Sequence, residues 1–120
     1  MDQRQELGKE GEALACNYLR RNGYTIRNTN WHFGHKELDI VAQKDNMLIV
    51  CEVKTRFGDH WEDPKDAVTR RKQRNIVEAA DAYVREFDLD LEVQFDVISI
   101  IFRGKSHELE HIPDAFFPTL

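Results

Sequence analysis

The sequence predicts an α/β or α+β domain whose elements run αβββαββ, and three observations carry that expectation. The chain has 120 residues, 41% of them hydrophobic and 32% charged, the balance of a globular protein whose core stands without disulfides or structural metal. Apolar residues recur at helical spacing in two segments and alternate in the short runs between and after them. No repeat, low-complexity tract or Pro/Gly-rich linker divides the chain, so residues 1–120 are expected to form one domain.

The first helix is expected over Gln3 to Arg21, where Leu7, Gly11, Leu14, Ala15, Tyr18 and Leu19 form one stripe. Gly8 and Gly11 each cost about 1 kcal/mol inside a helix, so close packing or a backbone contact is expected to justify them. Asn22-Gly23 ends the helix, with Gly in the left-handed position. Tyr24 to Trp31 reads as a strand, and His32 to His35 turns the chain. Glu37 to Gln43 alternates, Lys44-Asp45-Asn46 makes a turn, and Met47 to Thr55 is the next strand. A loop from Arg56 to Glu62 leads to Asp63-Pro64, an N-cap followed by Pro at the first helical position, and this helix runs to about Phe87. A very apolar strand, Val93 to Phe102, precedes a turn at Arg103-Gly104-Lys105 and an edge strand near Glu108 to Ile112. The terminal segment Ile112 to Phe117 is apolar, suited to packing on the domain's own sheet or on a partner.

Composition bounds the function. The longest uncharged apolar run, Val97 to Phe102, falls far short of the about 20 residues a transmembrane helix needs, and the polar N-terminus lacks a signal-peptide core. Cys16 and Cys51 lie in apolar-periodic segments and are expected as buried free thiols in a reducing cytoplasm. Seventeen Lys and Arg against 22 Asp and Glu leave a net charge of −5, which on its face argues against a nucleic-acid partner. The distribution matters more than the sum. Arg70, Arg71, Lys72, Gln73 and Arg74 place four cations in five residues, while Glu86 to Asp96 carries five acids and no base.

Two strands carry charges that an ordinary core does not explain. Glu37 and Asp39 share one face of the second strand; Glu52 and Lys54 share a face of the third, opposite Ile49, Cys51 and Val53. Paired as a hairpin, the strands bring these four groups to one end of the sheet. Buried carboxylates are costly unless paired or bound to a cation, and hard oxygen ligands on a rigid sheet suit Mg²⁺. Taken alone, Glu-x-Lys is better explained by a structural ion pair of Glu52 or Asp39 with Lys54.

The combination of Leu38-Asp39 with Glu52-Val53-Lys54, thirteen residues on, resembles the PD-(D/E)XK nuclease signature, with Leu38 in place of its Pro. The resemblance extends over Gly8-Lys9-Glu10-Gly11-Glu12, Gly23-Tyr24, Asn30-Trp31, Glu37-Leu38-Asp39-Ile40-Val41, Glu52-Val53-Lys54-Thr55-Arg56, Ala67-Val68, Lys72-Gln73-Arg74 and Phe95-Asp96-Val97. These motifs are similar to the YraN-like family of small bacterial proteins, predicted endonucleases similar to archaeal Holliday-junction resolvases. The resemblance implies an α/β restriction-endonuclease-like fold, a mixed central sheet flanked by helices.

It also implies roles. Asp39 and Glu52 hold Mg²⁺ or Mn²⁺, with the Val53 carbonyl as a further oxygen; Lys54 orients or deprotonates the attacking water. Glu12 matches a helical Glu of resolvase-like members and binds a second metal or water, against the alternative of a solvated helix residue. Gln73 projects among Val68, Ile76, Ala80, Tyr83 and Val84, so it is either a satisfied core glutamine or, as the motif implies, a group holding phosphate or a metal-bound water. Glu37 either enters the site or pairs with Lys36 or Lys54, and Asp96 reads as a hydrogen-bond anchor. Arg56, Arg70, Arg71, Lys72 and Arg74 are expected to meet phosphates, although the Arg70–Arg74 cluster alone reads better as a solvated helix face. Trp31, Phe57 and Trp61 are candidates for stacking on unpaired bases, with core packing favoured for Trp31. His32, His35 and His60 lack the thiolates that would make a zinc site convincing.

The expected function is a metal-dependent endonuclease acting on DNA, at branched or junction sites in repair or recombination. Two symmetric cuts imply a homodimer. The alternatives are a non-catalytic nucleic-acid-binding or scaffold module that keeps the fold, and an interaction domain whose carboxylates bind a structural cation.

Overall fold

The computed structural model describes residues 3–58 and 68–118. Trp61, His60 and the expected Asp63-Pro64 cap lie outside the described residues. The elements are α1 (Gln3–Arg21), β1 (Thr25–Phe33), β2 (Lys36–Lys44), β3 (Met47–Phe57), α2 (Arg70–Glu86), β4 (Glu92–Arg103) and β5 (Ser106–Phe116). The order αβββαββ is the one the periodicity predicts. The five strands form one sheet in chain order; β3 and β4 run parallel across the α2 connection, and every other pair is antiparallel.

Each helix buries its apolar stripe on one face of the sheet. Ala15, Cys16 and Leu19 of α1 pack against Ile40, Ala42, Ile49, Cys51, Ile98 and Ile100. Ile76, Ala79, Ala80 and Tyr83 of α2 pack against Leu38, Val41, Leu48, Val50, Phe95 and Val97 on the other. Both cysteines are free and buried, as expected of apolar thiols. α1 closes in a Schellman turn: Tyr24 N–H donates to the Leu19 carbonyl and Gly23 N–H to that of Arg20, with Gly23 at φ 88°. Of the two helix glycines, Gly11 has a packing reason, because a Cβ there would lie 2.4 Å from Thr55 Oγ1 on β3.

The structure moves the start of the second helix. The helix carrying the basic cluster begins at Arg70 rather than Pro64, because Thr69 is extended (φ −65°, ψ 160°) and its hydroxyl accepts from Lys72 N–H at 3.2 Å. The basic cluster therefore occupies the first turn, which contains no acid. Cations there oppose the helix dipole, and an anion at that turn would relieve the opposition.

The terminal segment packs on its own sheet. β5 reaches Phe116, which stacks on Phe95 with ring centroids 5.2 Å apart. At the bulge between these strands Asp96 serves as an anchor. Its carboxylate accepts from His111 Nε2 (2.7 Å), Gln94 Nε2 (3.0 Å) and Asp114 N–H (2.9 Å), while Tyr18 Oη of α1 lies 2.9 Å from His111 Nδ1. Asp96→Ala leaves three part-buried donors without an acceptor. It is expected to cost about 3–5 kcal/mol, read as a lower urea midpoint with an unchanged slope.

Candidate active site

The site grows from an irregularity in β2. Strand β1 pairs with β2 at Thr29↔Ile40 and Trp31↔Leu38, and between them Asn30 takes φ 50°, a conformation Asn tolerates better than most residues. Leu38 and Val41 lie in the core beneath α2, whereas Ile40 lies in the core beneath α1. The alternation slips at Asp39, whose side chain consequently borders clefts on both faces. On the other edge, the β2–β3 register runs from Lys44↔Met47 to Ile40↔Cys51. Beyond it, side-chain carboxylates take the backbone donors: Val53 N–H donates to Asp39 Oδ2 at 2.9 Å, and Asp39 N–H donates to Glu52 Oε2 at 3.4 Å.

Asp39 and Glu52 are thus held side by side where the two strands part. Glu52 is only 2% exposed, and its Oε1 has no hydrogen-bond partner among the described residues. The Lys72 ammonium stands 3.8 Å from that oxygen, close enough to attract it and too far to bond. Burial, reinforced by the Asp39 charge, pushes the Glu52 carboxyl up from its ordinary 4.5 to about 8, with Lys72 only partly opposing. Burial also raises Asp39, against the opposing pull of the Val53 N–H and Lys72. Two carboxylates that cannot both hold their charge in this setting need a shared proton or a cation.

Cations gather on the α2 side. A cleft of about 380 Å³ runs beside Asp39 and Glu52 and is lined by Lys36, Arg71 and Lys72, together with His35, Glu37, Thr69 and Asn75. Arg70, Arg71, Lys72 and Arg74 are all exposed. On the α1 side, Asp39 and Glu37 border a second cleft of about 770 Å³ with Gly8, Glu12, Val53 and Phe57. Glu12 accepts from Asn30 Nδ2 at 2.6 Å, so the left-handed residue in β1 also orients the helical carboxylate. Partial burial raises the Glu12 carboxyl; the Asn30 bond opposes this, and the charges of Asp39 and Glu37 add to it.

The remaining residues singled out by sequence take several positions. Lys54 is exposed and two residues beyond Glu52 on β3, but the ammonium that reaches Glu52 is that of Lys72. Gln73 donates to the Val68 carbonyl at 3.0 Å and borders a neighbouring cleft with Arg74, Val77, Glu78 and Phe117. Arg56 is 9% exposed, inside the fold rather than on the surface. Glu37 meets His32 at 3.8 Å across the β1–β2 hairpin, not Lys36, whose ammonium is paired with Glu78 of α2. Trp31 packs edge-on against Tyr83 in the core beneath α2, and Asp96 is the anchor described above. Sequence reasoning passed over the site roles of Asn30 and of Lys72 beside Glu52. An Asn inside a strand was the available signal for the first, since Asn is depleted there.

The donor set fits a divalent cation. Among the described residues no three His, Cys, Asp or Glu side chains form a metal-binding group. Mg²⁺ requires only one or two carboxylates and completes its octahedron with waters and phosphate oxygens. Asp39 and Glu52, one of whose buried oxygens has no hydrogen-bond partner among the described residues, supply such a pair.

A five-stranded mixed sheet between two helices, with paired carboxylates at the parting of β2 and β3, is a restriction-endonuclease-like fold. The chain belongs to the uncharacterised protein family UPF0102, whose model matches residues 11–100; this is the YraN family indicated by the motifs. It is 49% identical over 120 residues to a UPF0102 protein of Phocaeicola vulgatus, covering 100% of this chain and 99% of that protein. It is 49% identical over 117 residues to one of Parabacteroides distasonis (98% and 97% covered) and 43% identical over 117 residues to one of Flavobacterium psychrophilum (98% of each). Among the described residues no helix is long and apolar enough to cross a membrane.

Proposed function

We propose that this protein is a Mg²⁺- or Mn²⁺-dependent endonuclease that hydrolyses DNA phosphodiester bonds, at branched or junction sites. The observation that carries this reading is the buried Asp39–Glu52 pair, whose Glu52 Oε1 has no hydrogen-bond partner among the described residues, beside a cleft that also holds Arg71 and Lys72. Asp39 and Glu52 hold the cation, joined by the Val53 carbonyl, and Glu12 takes a second ion or a water. A divalent cation there supplies Lewis acidity toward a phosphate oxygen and lowers the pKa of a bound water.

The chain's own groups do the rest. Arg71 and Lys72, in the first turn of α2, grip the phosphate flanking the scissile bond, and Arg70 and Arg74 extend that grip along the strand. Lys54 orients the attacking water, or takes its proton, and offsets the charge that builds on the phosphorus oxygens. Gln73 fixes the start of α2 through Val68 and so sets where Arg71 and Lys72 stand. The buried free thiols support a reducing compartment, the cytoplasm. Two symmetric cuts at a junction call for a homodimer.

Isothermal titration with Mn²⁺ at pH 8 tests the metal site directly. Wild type is expected to bind, and Asp39→Asn to lose at least about tenfold in affinity. Undiminished binding by Asp39→Asn would place the cation elsewhere.

A further inference from the structure

Gly8 has no structural reason to be glycine. A Cβ there would meet nothing within 4 Å, so unlike Gly11 it is not required by close packing. In mid-helix, glycine is less favourable than alanine, and Gly8 has no positive φ to excuse it. It borders the α1-side cleft, where a larger side chain would enter the open space.

Across that cleft stands Phe57, the last residue of β3, which is 41% exposed beside the site although its strand neighbours on that face pack beneath α1. The two clefts meeting at Asp39 differ in chemistry. The α2-side cleft carries Arg71 and Lys72, with Lys36 paired to Glu78, beside Glu37, Asp39 and Glu52, and its cations suit phosphate. The α1-side cleft offers, beside the Glu12, Glu37 and Asp39 carboxylates and Lys9, an aromatic face and a glycine, which suit a base: a ring to stack on and room for a flat group.

We infer that the α1-side cleft is a binding site for an unpaired nucleotide, whose base stacks on Phe57 beside Gly8 in a strand that runs on past Asp39 toward Arg71 and Lys72. The inference rests on the nuclease reading for its place in catalysis and deepens it. The substrate is nucleic acid with an unpaired nucleotide beside the scissile bond, such as a single strand or the arm of a fork, and not continuous duplex. A base held inside a duplex stack cannot reach an aromatic ring in a cleft without being extruded.

The test is fluorescence anisotropy at low salt in EDTA, where metal-dependent cleavage cannot intervene. The probes are a labelled 12-nucleotide single strand, a fork carrying the same strand, and a blunt duplex. Wild type is expected to bind strand and fork at least about tenfold more tightly than duplex. Phe57→Ala and Gly8→Leu should each lose about five- to tenfold on the single strand and nothing on the duplex, and Phe57→Tyr should retain the affinity. Gly8→Leu should also raise Tm by about 2–5 °C, so its loss of binding is not a loss of fold. Equal affinity of wild type for strand and duplex, or unchanged single-strand binding by both Phe57→Ala and Gly8→Leu, overturns the inference. Single-strand preference in a protein that cleaves nothing sustains the inference and overturns the nuclease reading instead.

Discussion

Glu52→Gln is expected to make the metal-free protein more stable at pH 8 and to flatten its dependence on pH. The Glu52 carboxyl is raised from 4.5 to about 8, chiefly by burial and then by the Asp39 charge beside it. Between those values the folded chain holds a proton that the unfolded chain has released. Stability is therefore fully present below about pH 4.5, declines as pH rises, and is lost from this source above about pH 8. At about 1.4 kcal/mol per pH unit, the lost stability is on the order of 3–5 kcal/mol. Gln keeps the shape and an oxygen for the Asp39 N–H, and it carries no charge to desolvate. Tm measured in EDTA from pH 5 to pH 9 should fall for wild type and stay nearly level for Glu52→Gln, with the two proteins similar at pH 5. Parallel curves would mean that Glu52 is not the strained group. A residue whose replacement strengthens the fold is kept for another reason, here the cation that discharges the pair.

The second large effect separates two lysines. Lys54→Ala should slow cleavage on the order of 10²- to 10³-fold, with DNA and Mn²⁺ affinity little changed, because its role is at the attacking water. Lys72→Ala should act on binding. It removes a phosphate partner in the first turn of α2 and the cation that partly steadies Glu52 at 3.8 Å. DNA affinity should drop, its salt dependence should become shallower, and the Glu52 carboxyl should rise further. Rates at saturating and limiting DNA distinguish the two outcomes. A Lys54→Ala protein that cleaves normally but binds DNA poorly would exchange these roles.

Much of this architecture was legible in the residues, for reasons that differ between elements. α1 was bounded correctly because its stripe ends on Asn22-Gly23, and the Schellman turn needs glycine there. The strands were legible because alternation and turn residues mark them, although β5 runs on to Phe116 past a bulge that hides its period. The helix carrying the basic cluster starts at Arg70, later than its period suggested, because Thr69 is extended and accepts from Lys72 N–H; Thr69 was not singled out in the sequence as a cap. Asp39 and Glu52 were legible as charges within apolar strands, and Glu12 only through the resemblance of its motif. Less visible was the fact that the period slips at Asp39, which places its side chain between two clefts. Gln73 shows the limit of helical projection: the arc foresees a polar group needing a partner, and the partner is the backbone of Val68. Arg56 shows another, since an arginine at a strand end reads as surface and is 9% exposed here.

The net charge of −5 takes its meaning from this geometry. Asp39 and Glu52 sit where their charge is unwelcome until a cation arrives, and the cations of α2 line the same cleft. Cleavage of a labelled forked DNA by purified wild type, with Mg²⁺ or Mn²⁺ and with EDTA, beside Glu52→Gln under the same conditions, tests the central claim most directly. The account predicts cutting by wild type only when metal is present, and a loss of about 10³-fold or more in Glu52→Gln. Metal-dependent cutting that is equal in the two proteins would contradict it.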